Sequence, residues 1–244
     1  NTTVTITNYL GDETEIVIPV SLKIGRYECK VTTLDPYFGN ERITKVTFAS
    51  GSAVTNLNAY AFAGCVSLKK LVLPDSVSGA GEYAFAGCSS LTDVTLSSNL
   101  TEIPAYAFAD CTALCEIRIP SSVKTVGNAA FLNCSSLNRL NVEFTAVSAL
   151  GLSALVGTNK ALVIIVPEGR KDAFSNEWAE WSEKIYDATA RYGDFVLKDN
   201  GSGFTLIQYN GFAKTLDLTD KTIGGKKITA VADNAVTNGT IIKI

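Results

Sequence analysis

Phe62, Phe85, Phe108 and Phe131 stand 23 residues apart, and the same interval separates Cys65, Cys88, Cys111 and Cys134, and Leu68, Leu91, Leu114 and Leu137. Three registers sharing one period restrict the chain to an architecture of stacked, equivalent units. Triplets with apolar residues two apart follow in step: Leu71-Val72-Leu73, Val94-Thr95-Leu96, Ile117-Arg118-Ile119 and Leu140-Asn141-Val142, with Pro74 and Pro120 in the turns behind two of them. Alternation at two residues fits a strand with one buried face. A period of 23 fits one turn of a coil: strand, bend and a short helical return carrying the phenylalanine inward. One unit cannot cover its own apolar face, so neighbours must stack and their strands must form a continuous parallel sheet. The expected class is α/β: a right-handed solenoid with a parallel β-sheet on one face and short helical returns on the other.

Degenerate copies flank the regular ones. Val46-Thr47-Phe48 precedes Phe62 across a longer loop, and Leu155, Ala161, Ile164 and Val166-Pro167 fit with a one-residue slip. Ile16-Val17-Ile18-Pro19 reads as a further strand and turn. Beyond a turn-rich join at Asp199-Asn200-Gly201-Ser202-Gly203, Phe204 to Gly211 repeats the register of Val4 to Gly11. Leu216-Asp217-Leu218 and Ile228 to Val231 then repeat Ile16 to Ile18 and Val31 to Leu34, and the sequence reaches Ile242-Lys243-Ile244 in a fresh strand pattern. A stub of so few coils buries little surface, so this second module is expected either to belong to a longer array or to dock onto the first solenoid.

The octets Ala61-Phe62-Ala63-Gly64-Cys65-Val66-Ser67-Leu68 and Ala84-Phe85-Ala86-Gly87-Cys88-Ser89-Ser90-Leu91 resemble the repeat of the BspA-like leucine-rich-repeat family. Thr5 to Gly11 with Ile16 to Pro19 is similar to that family's lead-in module, a β-hairpin before the first coil. Val166-Pro167-Glu168-Gly169 followed by Trp178 and Trp181 is similar to its closing helical cap. The resemblance implies a leucine-rich-repeat solenoid that is secreted or displayed on a bacterial surface and takes part in adhesion through protein–protein contacts. The expected organisation is residues 1–45 as lead-in hairpin and first degenerate coil, 46–167 as repeats, 168–190 as a Trp-bearing capping helix, and 191–244 as the start of a second, cut-off module. Trp178 and Trp181, three apart in Asp172 to Ile185, would share a helix face that covers the last coil.

Composition narrows the chemistry. The chain of 244 residues contains no histidine, which removes Ser-His-Asp and Cys-His nucleophile systems and His-ligated metal sites. A net charge of -3 without a basic stripe gives no nucleic-acid footprint. The longest aliphatic run, Ala161 to Val166, is far short of a membrane helix. The chain opens on polar Asn1-Thr2-Thr3 without a signal-peptide pattern, which leaves its compartment open. The cysteine column would bring thiols close, but parallel Cβ vectors suit neither a disulfide nor a tetrahedral metal, so buried apolar thiols are expected. Cys29 and Cys115 fall off the column, and Cys115 should lie at an exposed strand edge. No cofactor and no metal is expected.

Residues between the inward strand leucines project outward. One outward stack runs Lys45, Lys70, Asp93, Glu116 and Arg139; its neighbour runs Thr47, Val72, Thr95, Arg118 and Asn141. These positions make the candidate binding face, for an extracellular protein first and a glycan second, with a spacer in a longer array as the alternative. A solvated, charge-balanced face with no ligand would carry the same pattern. Asp93 and Glu116 on adjacent coils stand at the roughly 5 Å spacing of a retaining glycosidase pair. An open sheet would give them no pocket, and flanking cations favour carboxylates over the carboxylic acid such an enzyme needs. The chain is therefore expected not to be an enzyme. Tyr60, Tyr83 and Tyr106 recur at 23 residues, as rim packing or as a sugar platform.

Overall fold

The protein is described from a computed structural model that covers residues 2–146, 148–188, 191–192, 195–209, 215–219, 221–223, 225–232, 235–236 and 241–243. Gly211 and Ile244, which take part in the sequence repeat, lie outside the described residues.

The chain winds as a parallel β-solenoid. Strands Glu15–Ile18, Lys45–Phe48, Lys70–Val72 and Asp93–Thr95 pair in that order, and Glu116–Ile119, Arg139–Val142, Val163–Val166 and Ile185–Asp187 continue the same face as a second group of four. The register is that of the sequence repeat, with Lys70 beside Asp93 and Glu116 beside Arg139. A second ladder, unread in the sequence, joins Tyr27–Leu34, Asn56–Leu57 and Gly79–Ala80, and beyond a gap Glu102–Ile103 and Thr125–Val126. Its inward side chains Leu34, Leu57, Ala80, Ile103 and Val126 also recur at 23 residues and are buried.

The returns differ from the expected short helices. Each is a run of turns bracketed by two left-handed residues, Tyr60 (φ 62°) and Gly64 (φ 73°) in one coil, Tyr106 (φ 57°) and Asp110 (φ 59°) in another. Left-handed residues interrupt right-handed helix geometry, so a regular helix has no room between them. The backbone bonds instead to the next coil: Phe62 N–H donates to Ala84 O at 2.7 Å and Phe85 N–H to Ala107 O at 2.9 Å.

The phenylalanine, cysteine and leucine columns lie inside as expected, in a core that runs from Ile16 to Ile185. Phe62, Phe85, Phe108 and Phe131 stack with centroids 5.8, 5.0 and 5.6 Å apart. Phe38 extends the column upstream in an edge-on contact with Phe62. All six cysteines are free thiols, Cys115 exposed and the others buried. Cys88, Cys111 and Cys134 each donate to the carbonyl of a phenylalanine on the preceding coil, Phe62, Phe85 and Phe108, at 3.0–3.2 Å. Burial pushes the Cys134 thiol up to about 12.

The two ends depart from the sequence reading. Thr3–Ile6 pairs in parallel with Tyr27–Leu34, whereas the hairpin is formed by Ser21–Ile24 against Tyr27–Leu34. Near the other end the expected helix from Asp172 to Ile185 is broken. An α-helix, Lys171–Glu177, gives way at Trp178 (φ -105°, ψ 49°) to a 3-10 turn, Ala179–Lys184, and Ile185 then starts a strand that pairs with Val163–Val166. The break follows from the tryptophan, which is buried beside Phe144 and Phe174 and donates its Nε1–H to Ser148 O at 2.8 Å. Trp181 packs against the same core while partly exposed.

The second module repeats the start of the first in topology. Phe204–Tyr209 pairs in parallel with Lys226–Val231 as Thr3–Ile6 pairs with Tyr27–Leu34, and the register slips at Phe204/Thr205 as it does at Val4/Thr5. Thr215–Asp217 pairs with Ile241–Lys243 as Glu15–Ile18 pairs with Lys45–Phe48. An additional antiparallel strand, Phe195–Asp199, lies beside Phe204–Tyr209. This module docks on the first: Val196 is buried with Val163 and Ile165, and Gln208 Nε2 donates to Asn138 O at 3.2 Å.

Candidate functional site

The outward positions of the strand ladder divide into an open and a covered part. Lys45, Lys70, Asp93, Glu116, Arg118 and Thr95 are solvent-exposed, and Val72 presents an isolated apolar side chain at 40% exposure. Arg139 and Asn141, expected on the open face, are only 4% and 6% exposed. They lie where the strands Arg139–Val142 and Val163–Val166 are buried on both faces, beside the docked second module. The apolar outward pair Val163 and Ile165 is the sequence signal of that covering.

The charges along the stack settle into pairs. Glu15 meets Lys45 at 2.9 Å, Lys70 meets Asp93 at 2.6 Å, and Glu116 meets Arg139 at 3.4 Å while accepting from Asn141 Nδ2 at 2.7 Å. Arg118 turns to Glu143 at 2.6 Å. Glu15 and Glu143, absent from the sequence-based candidates, belong to the face; the signal for Glu15 was the register one coil before Lys45, and that for Glu143 the alternation two residues past Asn141 on the same coil. The exposed pairs, all of these but Glu116–Arg139, contribute about 0–1 kcal/mol each, and the face as a whole is charge-balanced. Thr47 is partly buried and spends its hydroxyl on Ile16 O.

Between Asp93–Thr95 and Glu116–Ile119 the sheet is interrupted. Leu73 N–H donates to Thr95 O and Arg139 N–H to Cys115 O in the flanking steps, but the corresponding bonds from Leu96 to Arg118 and from Glu116 to Thr92 are missing. A cleft of about 550 Å³ opens there, lined by Asp93, Thr95, Leu96, Glu116, Arg118 and Glu143 among others. This corrects the expectation of a pocketless sheet. Catalysis by the acid pair gains little from it: Asp93 and Glu116 are each about half exposed and each engaged by a cation. On the cleft's rim the Asp75 carboxylate accepts from Ser98 Oγ at 2.7 Å and from Ser98 N–H at 3.1 Å, which holds it below the usual carboxylate range. Among the described residues, no three His, Cys, Asp or Glu side chains gather as a metal site, and no helix is long and apolar enough to cross a membrane.

On the opposite rim Tyr37, Tyr60, Tyr83 and Tyr106 stack face to face, with centroids 5.6, 4.8 and 4.5 Å apart. Tyr37, 23 residues before Tyr60, was missed in the sequence. Ring faces that cover one another are not offered to a sugar, so the ladder reads as rim packing.

Fold and face together define a repeat protein whose surface is an extended ladder of side chains on a β-solenoid. The BspA type leucine rich repeat region matches residues 33–160 in six copies, more than half of the chain, and the protein belongs to that family. Among solved structures it is similar to a leucine rich cell surface protein from Faecalibacterium prausnitzii A2-165, with 26% identity and a TM-score of 0.55 over 89% of this chain and 60% of that one. It is also similar to the T. pallidum leucine rich repeat protein, with 29% identity and a TM-score of 0.48 over 67% of this chain and 62% of that one. A leucine-rich repeat protein from Bacteroides capillosus ATCC 29799 shares 32% identity over 57% of this chain and 86% of that one, with a TM-score of 0.34. No curated protein sequence matches. The chain thus spans less than two thirds of the length of the first two structures.

Proposed function

We propose that the chain is a non-catalytic binding module of a secreted or cell-surface bacterial protein, and that it engages a protein partner through the open part of its strand ladder. The observation that carries this reading is the contrast along one stack. Outward positions Lys45, Lys70, Val72, Asp93, Thr95, Glu116 and Arg118 stay exposed and, Val72 apart, polar, while Arg139, Asn141, Val163 and Ile165 are already used as an internal interface. The same face therefore buries protein in its second half and leaves its first half free. Kinship with a family found among cell-surface proteins supports the location.

The test is a binding screen of the full chain against purified extracellular proteins and glycans, followed by Lys70→Glu and Arg118→Glu on the face and Lys124→Glu off it. A protein hit weakened at least tenfold by the face variants and unchanged by the third supports the reading. Equal affinity for all three variants overturns it. A spacer role keeps one specific support, the restart of the lead-in topology after Phe195. Adhesion through glycans has less, because the tyrosine faces are occupied by each other.

A further inference from the structure

We propose that the seam between Asp93–Thr95 and Glu116–Ile119 is a strand-accepting slot for an extended partner segment that carries a lysine or arginine. The inference rests on the sheet face being the protein-binding surface and narrows it to one coil step.

The seam is written into the residues on both sides of the coil. On the strand face, Asp93 and Glu116 put two carboxylates at equivalent positions, which disfavours close pairing but does not by itself prevent it, since Lys45 and Lys70 pair in register two coils earlier. On the second ladder, Gly81 N–H donates to Leu57 O and Gly127 N–H to Ile103 O, but the equivalent residue in the step between is Pro104, which has no N–H. Gly79–Ala80 and Glu102–Ile103 accordingly belong to separate sheets. The return side of the same step stays joined: Tyr83 N–H bonds to Ala105 O at 3.1 Å, Phe85 to Ala107 at 2.9 Å and Gly87 to Ala109 at 2.8 Å. The step therefore lacks strand pairing on both ladders but keeps one bond beside the second ladder, Thr101 N–H to Ser78 O at 3.3 Å, and the bonds along its returns, about which it can hinge.

The slot's chemistry selects its occupant. Its walls are two strand edges that do not pair across the gap and leave the Leu96 and Glu116 N–H groups without their ladder bonds, and edges of this kind are matched by another extended main chain. Val94 is half-buried, while its equivalents Val46, Leu71, Ile117 and Leu140 are at most 1% exposed, so an apolar or β-branched side chain finds a contact at the floor. The lining carries Asp93, Glu116 and Glu143, each already paired, to Lys70, Arg139 and Arg118, and an inserted cation at the outward position would lie between Asp93 and Glu116 and share them. The other edge of Asp93–Thr95 already shows the pattern: Lys70-Leu71-Val72 lies against it in register, with the Lys70 ammonium 2.6 Å from Asp93. Full insertion needs about 9.6 Å between the walls, twice the strand spacing, so the step has to open about its returns to take a whole strand.

The experiment is hydrogen–deuterium exchange on the full chain, with and without a synthetic peptide that copies residues 43–49, Ile-Thr-Lys-Val-Thr-Phe-Ala. In the free chain the amides of Val94, Leu96, Glu116 and Arg118 should exchange at least tenfold faster than the bonded amides of Leu73, Arg139 and Glu143. The peptide should slow those four amides at least tenfold. Replacing its lysine by glutamate, or methylating its backbone nitrogens, should weaken binding at least tenfold, as should Glu116→Gln in the protein. Free-chain exchange as slow as at the bonded amides, no binding of the peptide, or equal binding of the methylated peptide overturns the slot. If an identified protein partner is still weakened by Lys70→Glu while the seam amides do not respond to it, the slot fails and the binding face stands. Indifference to Lys70→Glu and Arg118→Glu together with protection of the seam amides would do the reverse.

Discussion

Asp93 and Glu116 occupy equivalent positions on successive coils, yet each turns away from the other, Asp93 to Lys70 at 2.6 Å and Glu116 to Arg139 at 3.4 Å. The two ion pairs look alike in register and differ in setting. Lys70 is half exposed, whereas the Arg139 side chain is 5% exposed. Asp93→Ala should therefore change stability by less than about 1 kcal/mol. Glu116→Ala removes a carboxylate from a buried guanidinium and should cost about 2 kcal/mol, below the 3–5 of a fully buried pair because Glu116 itself is half exposed. Urea unfolding of the two variants would separate these values; equal losses would mean that the burial of Arg139 does not matter.

The stacked phenylalanines join every regular coil to the next. Phe108 is fully buried and touches a ring on each side, Phe85 at 5.0 Å and Phe131 at 5.6 Å. Phe108→Ala should lower unfolding free energy by about 3–5 kcal/mol, since a coil held on both sides collapses poorly around the cavity. Phe38→Ala, where the column ends on a single edge-on contact with Phe62, should lose less. Denaturant midpoints at constant m-value would check the ranking.

Left-handed residues open and close every regular return, and the side chains there are not equally suited. Ala129 holds φ 51° and gains nothing from ring stacking, so Ala129→Gly should stabilise by about 1 kcal/mol. Gly64 at φ 73° has open space where a Cβ would stand, so Gly64→Ala should cost about 1 kcal/mol of backbone strain. A Cβ at Gly151 would collide with the Gly127 backbone, and Gly151→Ala should cost more than either. Thermal midpoints would give the order.

Identical side chains at one interval were enough to read the interior columns, because stacking makes each coil the environment of the next. The second ladder escaped notice although Leu57, Ile103 and Val126 keep the period: a two-residue strand has no alternation to recognise, and Ala80 and Pro104 dilute the signal. Trp178 and Trp181 suggested one helix face, but burial of the Trp178 ring overrode local helix geometry and broke the segment in two. The face residues were legible one by one, as outward positions on strands. Their division into open and covered parts was not, because it depends on where a distant segment docks. The seam was half legible, in the adjacent acids Asp93 and Glu116, but its second cause at Pro104 needed the coil geometry.

The thiols offer a direct probe of the column. Hydrogen bonding to the next thiol of the column, with burial behind it, raises the Cys65 and Cys88 thiols, and burial raises Cys134 to about 12, which suppresses the reactive thiolate at neutral and mildly alkaline pH. Cys115 is exposed. A soluble maleimide at pH 7.5 should modify one thiol quickly in the native chain and all six only after unfolding, as read by intact mass. Rapid modification of two or more in native buffer would contradict the packed column.

Val196 tests whether the second module holds its place through apolar contact. Its side chain is fully buried against Val163 and Ile165, and the neighbouring polar tie is Gln208 to Asn138. Burying a valine contributes about 1.5–3 kcal/mol, whereas an unpaired carboxylate in the same position costs several kcal/mol. Val196→Asp should therefore release the module rather than be accommodated, and so expose Arg139, Asn141, Val163 and Ile165. Limited proteolysis should then cut first near residues 199–203, and exchange should rise across Arg139–Val142 and Val163–Val166, while Phe62 to Phe131 keep their protection. If Val196→Asp destabilises the whole chain in one transition, the two modules share a single cooperative unit and the covered half of the face is not a separable interface.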